Sequence, residues 1–119
     1  MKPADAQLLR GTLHVLILHI VSNETLHGYE ISRRLHTLSK GALGIEDGAL
    51  YQALHRMQER GWLESAWGHA ETGKRARFYS LTREGRRRLE VETRSWVRYA
   101  AAVLNVLELP GVRLEGGPS

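Results

Sequence analysis

The chain has 119 residues, of which 42% are hydrophobic and 25% charged, and this composition is typical of one globular domain rather than of a disordered chain. Because it has no cysteine, it can form neither a disulfide framework nor a thiolate metal site. Its net charge of +4 permits binding to nucleic acid or to an anionic membrane and does not distinguish between them.

The first half of the chain predicts three helices, over 8–21, 28–39 and 48–60, after a short N-terminal arm. The most apolar run lies in the first helix and is much shorter than the roughly 20 residues that span a bilayer. No signal-peptide pattern opens the chain, so we expect a soluble, cytoplasmic protein with no membrane partner. Asp47 is a favourable N-cap for the third helix, and Gly61 is expected to end it.

The second half predicts two strands and a long helix. The strands, at 62–67 and 75–81, flank a glycine-bearing loop and form a β-hairpin. Thr82 is a favourable N-cap for a helix over 83–107. The expected fold is mainly α with a small β-hairpin: a winged helix-turn-helix followed by a long C-terminal dimerisation helix.

These elements predict a division of the chain into three parts. Residues 1–82 would form the winged-helix DNA-binding domain, residues 83–109 the dimerisation helix, and residues 110–119 a flexible tail, which ends in Gly-Gly-Pro-Ser.

The third helix has the pattern of a helix that enters a DNA groove. Its apolar stripe, Leu50, Leu54 and Met57, would face the core. The outward positions would then be Ala49, Gln52, His55 and Arg56. Gln52 is suited to a bidentate pair with adenine and Arg56 to guanine or phosphate. The alternative is the ordinary solvated face of an amphipathic helix.

Basic residues are concentrated in the hairpin and just after it. Residues 74–88 contain seven of them against the single acid Glu84, namely Lys74, Arg75, Arg77, Arg83, Arg86, Arg87 and Arg88. Lys74 and Arg75 fall at the hairpin tip, where they could enter a minor groove or hold phosphates. The alternative is a basic surface that only aids solubility.

The last helix carries an apolar series in steps of four and three residues, which is typical of a seam between subunits. Its members are Leu89, Thr93, Trp96, Ala100, Val103 and Leu107. The alternative is packing within one subunit. Because the helix is too long for a three-helix core to cover, we expect a homodimer.

No pattern predicts an enzyme, a cofactor or a metal site. Residues 68–74 match a phosphate-binding loop, but Arg75 and a strand follow where that motif requires Ser or Thr and a helix. The six histidines show no tight ligand spacing. No paired carboxylates and no Ser/His/Asp arrangement favour catalysis.

Four stretches in order resemble the PadR family of transcriptional regulators. They are Leu9-Arg10-Gly11-Thr12-Leu13, Leu26-His27-Gly28-Tyr29-Glu30-Ile31, residues 48–56 (GALYQALHR) and residues 73–85 (GKRARFYSLTREG). The resemblance covers about residues 8–107, and the length is similar to that of the short subgroup with a single C-terminal dimerisation helix. It implies a homodimeric repressor that binds a palindromic operator in double-stranded DNA.

The resemblance also implies roles for individual residues. Tyr29 and Tyr51 would contact or support the DNA backbone, and the wing residues would be Lys74 and Arg75. Arg77, from the same basic run, is a further candidate for DNA binding. The residues implied to face the major groove are Gly48, Ala49, Gln52 and His55. The family usually has proline where Gln52 stands, and Gln52 restores a backbone N–H and adds a side chain that can read a base.

Two other functions stay open. Some relatives bind flat aromatic or cationic drugs between subunits against a tryptophan of the last helix, a role open to Trp96, so a small-molecule sensor or sequestering dimer with a pore at Trp96 is an alternative. Packing in the seam is the simpler interpretation of Trp96. The other alternative is a protein-interaction adaptor that does not bind DNA.

Overall fold

The computed structural model describes residues 3–108 and contains four helices and three strands in this range. They are α1 (Pro3–Ile20), β1 (Leu26–His27), α2 (Gly28–Leu38), α3 (Asp47–Glu59), β2 (Leu63–His69), β3 (Arg75–Leu81) and α4 (Arg83–Leu107). The order confirms three helices, a hairpin and a long final helix. The predicted tail, residues 110–119, lies outside the described residues.

Two helix starts differ from the sequence predictions. α1 begins at Pro3, so the expected N-terminal arm is wrong over the described residues; proline is favoured at a first helical position because its fixed φ suits the helix and its missing N–H is not needed there. α3 is capped by Glu46, whose side chain makes no capping hydrogen bond, and Asp47 is the first helical residue. The prediction of Asp47 as N-cap is therefore wrong by one position.

The hairpin belongs to a three-stranded antiparallel sheet with the order β1-β3-β2. β1 pairs with β3 through Leu26 opposite Tyr79, and this short strand was not predicted. A two-residue strand is too short to show alternation in a sequence. β2 starts at Leu63 and continues to His69, two residues beyond the predicted end, which shortens the connecting loop to residues 70–74.

The core lies where the three N-terminal helices meet the base of the sheet. Its most deeply buried large side chains are Ile17, Leu18, Val21, Ile31, Leu50, Leu54, Met57 and Leu63. This confirms the predicted inward stripe of α3. Burial of each such side chain contributes about 1.5–3 kcal/mol, so the stripe fixes the rotation of α3 about its axis. None of the helices in residues 3–108 is long and apolar enough to cross a bilayer.

A compact junction joins the end of α3 to the start of α4. The hydroxyl of Thr82 accepts a hydrogen bond from the backbone N–H of Gly85 (2.9 Å), which confirms Thr82 as N-cap. The same hydroxyl lies 2.6 Å from the carbonyl oxygen of Gly61, to which it can donate. Gly85 is buried against the carbonyl of Trp62. The start of α4 is therefore held directly against the residues that end α3.

Candidate nucleic-acid interface

The outward face of α3 collects the residues predicted to read the major groove, together with Tyr51, which is predicted to contact or support the DNA backbone. They are all exposed: Gly48, Ala49, Tyr51, Gln52, His55 and Arg56. The opposite face is buried in the core. Near the end of the helix, the imidazole of His55 lies 3.4 Å from the carboxylate of Glu59. α3 thus presents a continuous row of small, amide, imidazole and guanidinium groups to solvent.

Tyr51 joins this face of α3 to the start of α2. Its ring is 50% exposed and lies against Gly28, so closely that an added Cβ at residue 28 would be 2.7 Å from the phenol oxygen. Tyr29, the next residue of α2, is 69% exposed. The contact brings together the two tyrosines that the resemblance links to the DNA backbone.

His27 connects the start of α2 to the sheet. Its ring packs edge-on against Phe78 of β3 (centroids 5.3 Å apart) and stacks with Tyr29 (6.2 Å). Its Nδ1 accepts a 3.4 Å hydrogen bond from the backbone N–H of Glu30 and so caps α2. The position of Tyr29 is therefore tied to the wing as well as to its own helix.

The wing, which we define as residues 63–81, carries both of its arginines on one face of its hairpin. In the register of β2 and β3, Trp67 is opposite Arg77 and His69 is opposite Arg75. Directly opposite residues share a face of an antiparallel sheet. Nearer the base of the hairpin this face also carries Leu63, which is buried in the core. One face of the wing therefore runs from the core out to exposed arginines.

Trp67 is the one functional candidate on this face that sequence reasoning missed. Its indole is 55% exposed, and the guanidinium carbons of Arg75 and Arg77 lie 4.2 and 4.9 Å from its ring centroid. The signal in the sequence was the alternation of side chains between the two faces of a strand. With the register of β2 and β3 known, this alternation places Trp67 on the same face as both arginines.

An open groove of about 1030 Å³ separates the wing from the helices. Its walls are the start of α2 with Tyr29, the ring of Tyr51 from α3, and the wing with Trp67, Lys74 and Arg77. Three elements that are distant in the sequence thus meet around one basic and aromatic depression. Among residues 6–108, no three histidine or acidic side chains cluster closely enough to hold a metal ion.

The arginines of α2 form ion pairs with carboxylates, whereas those of the wing do not among the described residues. On α2, Arg33 is bound to Glu30 (2.6 Å) and Arg34 to Glu24 (2.9 Å). The hydrogen bonds from Arg33 hold the pKa of Glu30 below its ordinary value. The ion pairs found within residues 6–108 include none of the three wing cations, Lys74, Arg75 and Arg77. The wing charges are therefore available to an external anion.

The predicted seam of α4 is divided between packing within the subunit and exposure. Leu89 packs against the core, and Ala100 and Val103 are also half-buried. Thr93, Leu107 and Trp96 are exposed, Trp96 by 39%. The indole of Trp96 lies beside the ring of Tyr99, with centroids 6.2 Å apart. The far part of α4 thus leaves apolar and aromatic groups in solvent.

Three helices, a small sheet and a basic wing beside an exposed third helix define a winged-helix protein of the DNA-binding class. The model of the PadR-like transcriptional regulator family matches residues 17–91, which is more than half of the chain. The chain therefore belongs to this family, whose members are transcriptional regulators and not enzymes.

Solved structures agree with this assignment. A PadR-like transcriptional regulator of Bacillus cereus is 31% identical, with a TM-score of 0.74 over 87% of this chain and 98% of that one. A PadR family regulator of Eggerthella lenta is 28% identical, with a TM-score of 0.74 over 88% and 89% of the two chains. An uncharacterized protein of Lysinibacillus sphaericus is 24% identical over 104 residues, which are 87% of this chain and 92% of that protein.

Proposed function

We propose that the protein is a sequence-specific DNA-binding repressor that binds a palindromic operator as a homodimer. The observation that carries this proposal is that α3 and the wing line the same groove. Tyr51, on the exposed face of α3, and the wing arginines, which have no carboxylate partner among the described residues, line one groove. A basic surface beside an exposed helix is the expected footprint of a protein that reads DNA.

In this proposal α3 enters the major groove and reads bases. The Gln52 side chain pairs with an adenine edge, and Arg56 contacts guanine or phosphate. Gly48 and Ala49 leave room for the helix start to approach the DNA, where free N–H groups favour a phosphate. His55 lies one turn further along the same face.

The remaining contacts position the protein on the DNA backbone. The phenols of Tyr29 and Tyr51 donate hydrogen bonds to phosphates on the helix side of the groove. Lys74, Arg75 and Arg77 hold phosphates from the wing side. Because these contacts are ionic, affinity is expected to fall steeply with salt.

Dimerisation would use α4, with residues 1–82 as the DNA-binding part and 83–109 as the dimer part. The exposed apolar groups of α4 include Trp96, Tyr99, Val106 and Leu107. A two-fold pairing through this surface places two copies of α3 on half-sites about one or two helical turns apart. A regulator of this kind acts on chromosomal DNA, which is consistent with the cytoplasmic location expected from the sequence.

The decisive experiment measures binding to DNA from immediately upstream of the gene and to a scrambled duplex at several salt concentrations. We expect two subunits per site, preference for the upstream duplex, and affinity that falls with salt. Arg77→Ala should lower the slope of log affinity against log salt by about one for each wing. Arg94→Ala, an exposed arginine of α4, is the matched control and should leave the slope unchanged. No binding to any duplex at low salt would overturn the proposal.

The exposed pair Trp96 and Tyr99 favours a second function, the sensing of planar aromatic cations by the dimer. Titration with ethidium, without DNA, should quench tryptophan fluorescence in the native protein. The quenching should be lost in Trp96→Leu and kept in Trp67→Phe, which changes a tryptophan of the wing. Equal quenching in Trp96→Leu and the native protein would exclude this site.

A further inference from the structure

Trp67 is unusual among the side chains of the wing because a large apolar ring stays in solvent at the edge of a basic surface. More than half of it is exposed, so the core does not require it. Two of its neighbours across the hairpin, Arg75 and Arg77, are cationic, and both guanidinium groups lie within the distance at which an indole face attracts a cation.

The register of the hairpin explains how one ring serves two arginines. Arg77 is directly opposite Trp67, and Arg75 lies on the same face opposite His69, one diagonal step away. Diagonal neighbours on a sheet face are within reach of long and aromatic side chains. Both arginines can therefore fold back over the indole without any change of the backbone.

The opposite face of the hairpin braces the strand that carries Trp67. Gly68 has no side chain, and the ring of Phe78 occupies the space beside it, 2.9 Å from where a Cβ would lie. Phe78 is itself held by the edge of His27. Aromatic contacts on this second face thus hold β2 and β3 together beneath the Trp67 ring.

We propose that Trp67 is a positioning residue that holds Arg75 and Arg77 over its ring beside the groove, ready to contact phosphates of the DNA backbone. This inference rests on the proposed function. It assigns to an aromatic residue of the wing the task of positioning two of the basic residues. The cation–π pairs among the described residues do not include Lys74, so the ring acts on two of the three wing cations.

The benefit is a smaller loss of side-chain freedom on binding. A free arginine loses several rotamers when it settles on a phosphate, and this ordering opposes association. An indole that already holds the guanidinium removes part of that loss before the DNA arrives. The ring also keeps two like charges close together, which their mutual repulsion would otherwise oppose.

The first test uses the native protein without DNA. An indole ring shifts the NMR signals of protons above its face to higher field, so the side-chain methylene protons of Arg75 and Arg77 should resonate upfield of those of exposed Arg94. Trp67→Leu should abolish the shift, and Trp67→Phe should keep part of it. Ordinary arginine shifts in the native protein would overturn the proposal.

The second test compares DNA binding of the same variants at several salt concentrations. Trp67→Leu keeps every charge, so the salt slope should stay unchanged while affinity falls about threefold for each arginine released. Trp67→Phe should bind almost as well as the native protein. Lys74→Ala, the matched control, should lower the slope. Native-like melting of the leucine variant would show that the loss does not come from unfolding.

Two results would overturn the role of Trp67 in DNA binding while leaving the proposed function intact. One is native affinity in Trp67→Leu. The other is an equal loss in Trp67→Leu and Trp67→Phe, since this would mean that the indole itself touches DNA. Failure of the native protein to bind any duplex would instead overturn the proposed function and the DNA role together, and the NMR shifts would separately report whether the ring holds the arginines.

Discussion

Tyr51 of α3 and Gly28 of α2 are in direct contact, with the phenol ring occupying the space that any side chain at residue 28 would need. Gly28 is buried under the ring, and Tyr51 still keeps half of its surface in solvent. The contact fixes the position of Tyr51, which lines the groove together with Tyr29. A glycine in α2 thereby determines the position of the α3 side chain for which we propose a phosphate contact.

Gly28→Ala is expected to weaken DNA binding without unfolding the protein. The new Cβ would displace the Tyr51 ring, which can swing into solvent, so the free energy of unfolding should fall by no more than about 1 kcal/mol. Loss of one hydrogen bond to a charged phosphate should weaken binding about tenfold for each half-site.

Fluorescence anisotropy with the operator duplex and urea denaturation measure the two effects of Gly28→Ala. Gly11→Ala, on α1 with nothing within 4 Å of the added Cβ, is the control and should keep native affinity. In a Tyr51→Ala background, Gly28→Ala should have no further effect on affinity. If Gly28→Ala lowered affinity as much in the Tyr51→Ala background as in the native protein, its effect would not act through Tyr51.

Gly85→Ala is expected to be much more damaging than Gly28→Ala. Its Cβ would meet the backbone carbonyl of Trp62 and would lie 2.8 Å from a methyl group of Leu81. Backbone cannot swing away as an exposed ring can, so the variant should lose about 1–3 kcal/mol of unfolding free energy or more. Urea denaturation beside Gly11→Ala tests this; equal midpoints for the two variants would show that the junction tolerates a side chain.

His14 is expected to make stability depend on pH. Its imidazole packs edge-on against Trp62 (5.7 Å), and burial, followed by the charges of Arg56 and Arg60, lowers its pKa below the ordinary 6.5. Two further charges act on it from α4, with Glu92 raising the pKa and Arg88 lowering it.

The folded state disfavours protonated His14, so neutral His14 contributes fully to the free energy of unfolding above about pH 6.5. This contribution is lost as the pH falls through the lowered pKa of His14. His14→Asn should therefore lose less stability than the native protein between about pH 7.5 and about pH 5. Urea midpoints at both pH values measure the difference, and His36→Asn, on the exposed side of α2, is the control. If the stability of the native protein depended on pH no more than that of His14→Asn, His14 would not be the source of the pH dependence.

Gln52→Ala is expected to relax base preference at one position of each half-site. Gln52 is exposed in the middle of α3, and a bidentate amide–adenine pair is worth about 1–3 kcal/mol of discrimination. The salt slope should not change, because no charge is lost.

Competition with duplexes that carry each single base change would locate the position read by Gln52. Gln58→Ala is the matched control, because Gln58 lies on the same helix and accepts a hydrogen bond from Ser65 of β2 (3.0 Å). It should leave base preference intact. An unchanged base preference in Gln52→Ala would mean that the Gln52 amide does not read a base.

The sequence by itself determined the elements whose signals are local. The apolar stripe of α3, the cap at Thr82 and the length of α4 follow from helical periodicity and from hydrogen bonds within a few residues. The basic character of the wing is likewise visible in the residues alone. Where local signals were weak, the predictions missed: the expected N-terminal arm is helix from Pro3 onward, and the cap of α3 is Glu46.

Only the tertiary structure decided which distant residues meet. The pairing of β1 with β3, the contact of Tyr51 with Gly28 and the two arginines over Trp67 each join residues from different elements. Such contacts depend on sheet register and on the rotation of packed helices, which the buried core fixes as a whole. The same packing left the wing cations without a carboxylate among the described residues and gave those of α2 their partners, a difference that composition does not contain.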